Sequence, residues 1–409
     1  MTKLIPKSSF SPWPSFSKDE AKLVSDVLIS NRVNYWTGDK VKKFEKEFSR
    51  WTGAKYSIAL SNGTTALDLA IKALGINAND EVIVTPRTFI ASVSSVCNVG
   101  ALPIFADVDP DSGNITAESI SKVISKKTKA IICVHLGGWP CNMGPIMKLA
   151  KKNKIKVIED CSQAHGAMYK GKSVGTYGDI STWSFCQDKI ITTGGEGGMV
   201  TTNNKSYWNV MWSLKDHGKS YMSVFKKKHP PGFRWHHDSF GTNFRMTEIQ
   251  AVIGIYQLKK MKEWTKARNN NALQIINSIR NLKGIYIPSF KVHDGISENK
   301  FKQYKQCCIH AYYKLYIYLD FQFLKDEWSK NKIIDQINKE GVPVNGGSCP
   351  EVYLEKAFIK KGLNPKSRLP NAKKLGNKSI AILVHPTLKA EEIERTIHVI
   401  EKVITKARK

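Results

Sequence analysis

The sequence predicts an α/β fold: a mostly parallel, seven-stranded sheet in a large domain, followed by a smaller α+β domain. Three observations carry the prediction. Seven short apolar runs recur between residues 57 and 201, several of them separated by segments with helical spacing of apolar residues. That alternation builds a parallel sheet covered on both faces. The fifth run ends in two carboxylates, Glu159 and Asp160, and ligands of such sheets bind beyond the C-terminal strand ends. From about Arg268 the alternation gives way to one long strand-like run, a Gly-rich segment and two helical patterns. A chain of 409 residues is also too long for one ordinary core. The expected domains are residues 1–255 and 256–409.

Taken in order, Ser17 followed by Glu20 is a capping box that opens a helix to about Ile29. The NYWTG turn, Asn34 to Gly38, carries two aromatics expected to be exposed. A helix from Asp39 to about Trp51 places Val41, Phe44 and Phe48 on one face. Strands are expected at Ser57–Leu60, Glu81–Val84, Leu102–Ala106, Ala130–Val134, Lys156–Ile158, Ile180–Phe185 and Gly198–Thr201, with helices at Thr65–Leu74 and Gly144–Asn153. After a looser region, a helix of roughly 20 residues runs from the GTNFRMTEIQA segment toward Lys266. A strand at His310–Leu319, a helix at Lys330–Glu340 and a closing helix from Glu391 make up the smaller domain.

The chemistry concentrates between Val157 and Thr202. Asp160 ends a strand. Lys189 lies in a polar turn after another strand, and Gly194, Gly195, Gly197 and Gly198 follow around Glu196. A carboxylate beside a pyridine nitrogen keeps it protonated, and a lysine amine can hold an aldehyde as a Schiff base, so the pair suits pyridoxal phosphate. Each part alone also suits a turn acid, a solvated lysine or a tight turn. In SNGTTAL a glycine turn opens a helix, whose unpaired N–H groups and positive dipole end bind phosphate, which makes Gly63, Thr64 and Thr65 candidates for the cofactor phosphate. An ordinary helix cap is the alternative.

This stretch, together with TPRTFIAS at Thr85–Ser92, GTNFRMTEIQA at Gly241–Ala251 and VHPTL at Val384–Leu388, resembles the DegT-type nucleotide-sugar aminotransferases, a branch of the fold-type I pyridoxal phosphate enzymes. The resemblance covers nearly the whole chain. It implies that Phe89 stacks on the pyridine ring, Gln163 lies near its phenolic oxygen, and Ser184 adds a phosphate hydroxyl. It also implies that Asn243 reaches the cofactor phosphate of a neighbouring subunit, so that a complete site needs a homodimer, with Arg245 close enough to support the same anion. His165 suits either a structural role or a direct one. L-glutamate is the implied donor and a nucleoside-diphosphate keto-sugar the acceptor, in surface polysaccharide or glycan synthesis. Some relatives place histidine at the lysine position and remove a hydroxyl; Lys189 favours transamination. The loop after it carries one more glycine than the commoner family form. Substrate contacts are sought at His310, Tyr312, Tyr313 and the Gly346–Tyr353 loop. Two alternatives stay open: a fold-type I enzyme acting on amino acids alone, and a basic regulatory or nucleic-acid-binding protein that kept the fold.

Composition narrows the classes. The chain is 41% hydrophobic and 24% charged, with a net charge of +28 and a pI near 9.6. Only 10 of the 63 basic residues are arginine, which speaks against base and phosphate readout by bidentate forks, so no nucleic-acid partner is expected. Dispersed lysine would help attract an anionic nucleotide sugar. No run approaches the roughly 18 apolar residues of a membrane span, and the proline-broken N-terminus lacks a signal h-region, so a cytoplasmic protein is expected. The eight cysteines, including adjacent Cys307 and Cys308, form no metal-binding spacing, and paired His236 and His237 lack a partner in register. Free thiols and no metal are expected.

Overall fold

The computed structural model describes residues 10–229, 231–232, 234–288 and 308–409; Cys307 lies outside them. The strands are β1 (Tyr56–Leu60), β2 (Glu81–Val84), β3 (Leu102–Phe105), β4 (Thr128–Val134), β5 (Lys156–Asp160), a ribbon of β6 (Met168–Tyr169) and β7 (Lys172–Ser173), β8 (Ile180–Ser184) and β9 (Gly198–Thr202). Seven of them form one sheet in the order β1-β9-β8-β5-β4-β2-β3. Neighbours from β3 to β8 pair in parallel, while β9 is antiparallel to both β8 and β1. Only β9 is therefore reversed. Every residue of β8 and β9 is buried, which is why these runs lack alternation.

The helices in this part are α1 (Lys18–Ile29), α2 (Lys40–Thr52), α3 (Gly63–Ala73), α4 (Ala91–Asn98), α5 (Ala117–Ser121), α6 (Met143–Lys152), α7 (Lys205–Leu214), α8 (Tyr221–Phe225) and α9 (Glu248–Ile279). The Ser17–Glu20 capping box opens α1 as expected. On one face of the sheet, Phe44 and Phe48 of α2 pack with Trp183, Phe185 and the first half of α9. On the other, Leu69 and Ala70 of α3 pack over Ile58, Val84, Ile132 and Ile158. Each fully buried Phe, Leu, Ile or Val among them contributes about 1.5–3 kcal/mol.

A second sheet joins β10 (Ile285–Tyr286), β11 (Leu315–Leu319), β12 (Val344–Asn345) and β13 (Ser379–Ile382), all antiparallel in the order β10-β11-β13-β12. With α10 (Lys330–Lys339), α11 (Lys356–Lys360), α12 (Pro370–Lys378) and α13 (Ala390–Ala407) it supplies the smaller α+β part and a third core.

Three expectations change. Helix α9 has 32 residues rather than roughly 20: no glycine or proline interrupts it after Gly254, and its apolar residues pass from the first core (Ala251, Ile255, Leu258) to the third (Ala272, Ile275, Ile279). The 255/256 division falls inside this helix. The strand expected from His310 begins only at Leu315, because Tyr312 adopts φ 46 and folds back to stack on His310 at 3.9 Å. Tyr35 is 3% exposed, covered by Trp212 and the Lys215 amine, 3.7 Å above its ring; its neighbour Trp36 is half-buried.

Candidate active site

Asp160 ends β5, Ser184 ends β8, Gly63 follows β1 and Phe89 follows β2. These strands run in one direction, so the sequence-predicted residues gather along one sheet edge, where strand ends leave backbone groups and side chains facing a ligand. Asp160 is 4% exposed, and its Oδ2 accepts from Ser92 Oγ at 2.8 Å while Oδ1 accepts from Ser162 N at 3.1 Å. Ser92 Oγ lies in turn 2.8 Å from Thr88 Oγ1. The carboxylate is thus aimed by the loop that carries Phe89.

Its neighbour Glu159 fixes the strand end. Glu159 accepts from the N–H groups of Gly175, Tyr177 and Gly178 at 2.7–2.9 Å and from His135 Nε2 at 3.1 Å. Burial opposes its ionisation, but the His135 hydrogen bond and the backbone donors outweigh it and hold the carboxyl below its usual range. His135, Glu159 and Cys161 come close enough together to suggest a cation site. However, His135 Nδ1 accepts from Cys141 N at 2.9 Å, so Nε2 carries the proton given to Glu159, and burial pushes the Cys161 thiol well above its usual range. No deprotonated nitrogen or thiolate is left for a metal, and the cluster is a structural lock.

At α3, the Asn62 side chain caps the helix by accepting from Thr65 N at 2.9 Å, and Thr65 Oγ1 donates to the Asn62 carbonyl at 2.8 Å. Thr65 is therefore committed to the cap. Gly63 and Thr64 present first-turn N–H groups with no intrahelical acceptor at the positive dipole end. A Cβ on Gly63 would lie 2.6 Å from Ser184 Cβ and 2.9 Å from its Oγ, so only glycine lets the helix start sit against the Ser184 hydroxyl. Two N–H groups and a hydroxyl in one cradle fit a phosphate.

Lys189 lies beyond β8, with a side chain 17% exposed. Its Nζ is 3.2 Å from Asp188 Oδ1, 3.5 Å from the Tyr313 hydroxyl and 5.1 Å from the Tyr313 ring centre. Its carbonyl accepts from Trp13 Nε1 at 2.9 Å. Burial raises the Asp188 carboxyl, but Lys189 and the Tyr313 hydroxyl bound to it prevail and keep it below its usual range. Buried His165 packs on Trp183 and Phe185 and has no partner for either ring nitrogen among the described residues. Burial, then Lys189 and Arg268, push its pKa down to about 3, so it is neutral. Gln163 accepts from Gly137 N at 2.7 Å and donates to Ser348 Oγ at 3.4 Å, tying in the 346–353 loop. Phe89 is 66% exposed, an open aromatic face beside a buried carboxylate. An acid, an amine, a flat ring and an anion cradle along one edge fit pyridoxal phosphate.

The structure does not bring Asn243 into this group. It is exposed, and among the described residues its Oδ1 accepts only from Arg245 N at 3.3 Å, while Arg245 donates to Asp216 at 2.6 Å. His310 is likewise turned toward Trp139 and Tyr312. Sequence reasoning missed Trp13, Ser92, Asp188, Arg268 and Lys314. Of these only Ser92, inside TPRTFIAS, carried a signal.

Residues 14–401 match the DegT/DnrJ/EryC1/StrS aminotransferase family. The chain is 55% identical to a structurally characterised aminotransferase from Psychrobacter cryohalolentis, with a TM-score of 0.93 over 97% of this chain and 99% of that one. It is 33% identical to an uncharacterised protein of Methanocaldococcus jannaschii, over 99% of this chain and 100% of the relative. It is 43% identical to the GDP-perosamine synthase of Escherichia coli O157:H7, over 63% of this chain and 68% of the relative. With the parallel sheet and the edge that gathers Asp160, Lys189 and the α3 cradle, these matches place the chain in the DegT/DnrJ/EryC1/StrS aminotransferase family.

Proposed function

We propose that this aminotransferase uses pyridoxal phosphate to move an amino group from L-glutamate to a nucleoside-diphosphate-linked keto-sugar. The observation that supports it best is the gathering of Lys189, Asp160 and the Gly63–Ser184 cradle along one sheet edge. When bound, the cofactor supplies a pyridinium ring that accepts electrons from the carbon losing its proton. Asp160, aimed by Ser92, holds the proton on the ring nitrogen. Lys189 Nζ takes the proton from the donor's α-carbon and, in the second half-reaction, returns one to the sugar carbon that receives nitrogen. Gly63, Thr64 and Ser184 hold the phosphate, with Thr65 fixing the cap; Phe89 covers the ring face and Gln163 faces its phenolic oxygen.

The reading extends to a homodimer in which Asn243 of one copy supports the phosphate of the other, in keeping with its exposure and with a side chain bonded, among the described residues, to Arg245 N alone. A cytoplasmic site of action and a role in surface glycan synthesis belong to the same proposal. No helix of the described residues is long and apolar enough to cross a membrane.

The test is the visible absorption of purified protein supplied with pyridoxal phosphate, before and after L-glutamate. Wild type is expected to show the band of lysine-bound cofactor, glutamate to bleach it, and a suitable nucleotide keto-sugar to restore it; Lys189→Ala should lack the band. Wild-type protein that binds no pyridoxal phosphate would sink the reading.

A further inference from the structure

Beside Lys189 lies a group of cations that the transamination chemistry does not use. The amines of Lys189 and Lys314 both lie over the Tyr313 ring, 5.1 and 5.2 Å from its centre. Lys314 is half-buried just before β11, and its amine makes no hydrogen bond or ion pair among the described residues. Behind it, Arg268 of α9 is 1% exposed. Its Nη1 donates to the Tyr312 carbonyl at 3.3 Å, its plane lies over Trp13 at 4.9 Å, and its Nε and Nη2 have no partner among the described residues. The carboxylate that acts on this group is Asp188, already bound to Lys189 and the Tyr313 hydroxyl. Buried charges are paired in folded proteins, and here, among the described residues, Lys189 and Lys314 share Asp188 while Arg268 has no carboxylate partner.

We infer that Lys314, backed by Arg268, forms a subsite for a carboxylate carried by the molecule that reacts at Lys189. A phosphate would be placed differently: the cofactor phosphate belongs to the α3 cradle, and the phosphates of a nucleotide sugar hang from C1 through an oxygen, more bonds from the reacting ring carbon than a carboxylate on C5. A carboxylate one or two bonds from the reacting carbon reaches a cation adjacent to Lys189. Two sources share this chemistry, the amino-acid donor and a sugar oxidised to a uronic acid. Burial, then Arg268 and Lys189, set against the opposing charge of Asp188, bring the Lys314 amine down to about 8, so the subsite is cationic at neutral pH and loses its charge above that value.

The inference rests on the proposed function for the identity of the reacting molecule, but its test is binding rather than turnover. Holoenzyme is titrated calorimetrically with UDP-glucuronate, UDP-glucose and glutarate, in wild type, Lys314→Met and Lys314→Arg. A wild-type preference for UDP-glucuronate over UDP-glucose of about tenfold or more, lost in Lys314→Met and kept in Lys314→Arg, assigns the subsite to the acceptor's carboxylate. Equal sugar affinities with glutarate weakened about tenfold in Lys314→Met assign it to the donor's. Comparing probes within one variant separates recognition from loss of fold. No preference for any carboxylate probe in wild type, or affinities unchanged in Lys314→Met, overturns the inference. Failure of wild type to transaminate any keto-sugar would count against the proposed function while leaving the binding result intact.

Discussion

Asp160 depends on a hydroxyl that nothing in its own strand supplies. Ser92 Oγ donates to it from α4, and a hydrogen bond to a charged acceptor contributes about 1.5–3 kcal/mol. Ser92→Ala is therefore expected to lower unfolding stability by about that amount, measured by denaturant titration, and to weaken the visible cofactor band without abolishing it. Unchanged stability and spectrum would show that Asp160 needs no aiming. Residues of this kind also mark where sequence reading stops. Asp160 and Lys189 were legible because their types, order and glycine surroundings fit one chemistry. Ser92 was marked only by lying inside TPRTFIAS, with nothing on its buried helix face to show that it reaches Asp160, and Lys314 is one of 53 lysines, distinguished only by what the fold places around it.

At the scale of elements, the cradle exists because two glycines permit close approach. A Cβ on Gly198 would fall 2.2 Å from the Asn62 carbonyl oxygen, and one on Gly63 would meet Ser184. Overpacking of this sort costs about 1–3 kcal/mol, so Gly63→Ala is expected to weaken pyridoxal phosphate binding about tenfold or more. Gly171→Ala, with nothing within 4 Å of the added carbon, strains only the backbone of the β6–β7 turn at φ 76 and should leave that affinity unchanged. Equal affinities in the two variants would contradict the cradle. The strands of the large sheet were legible to within about two residues because each apolar run is bounded by turns or carboxylates. The length of α9 was not, since its apolar stripe changes sides as it passes between cores. Nor was the late start of β11, which depends on a single backbone angle at Tyr312.

Across the whole molecule, burial keeps three histidines neutral: His165, His310 and His385 are each pushed down to about 3, His165 and His385 also by nearby cations. Their ordinary value is near 6.5. Between about pH 3 and 6.5 the unfolded chain binds more protons than the folded one, so stability is present above that window and is lost as pH falls through it. Each histidine contributes up to about 1.4 kcal/mol per pH unit there. Thermal melting should fall between pH 7 and pH 5, and His165→Phe should flatten the slope. A pH-independent melting temperature would refute the neutral assignment. The net charge of +28 does not describe the site, where Asp160, Lys189 and the α3 cradle decide the chemistry.

The strap at Trp13 has a consequence for how the protein is made. Trp13 donates to the carbonyl of Lys189 and stacks on His385, Ser11 Oγ donates to Glu392 at 3.0 Å, and the Pro12 carbonyl accepts from Thr387. These partners lie as far as 381 residues apart in sequence. During synthesis, the strap leaves the ribosome long before His385, Thr387 and Glu392, its last partners. A chain halted before residue 385 would carry the sheet, Asp160 and Lys189, yet lack the clasp beneath the lysine. The last contacts that hold the strap beneath Lys189 therefore form only once translation has passed residue 392.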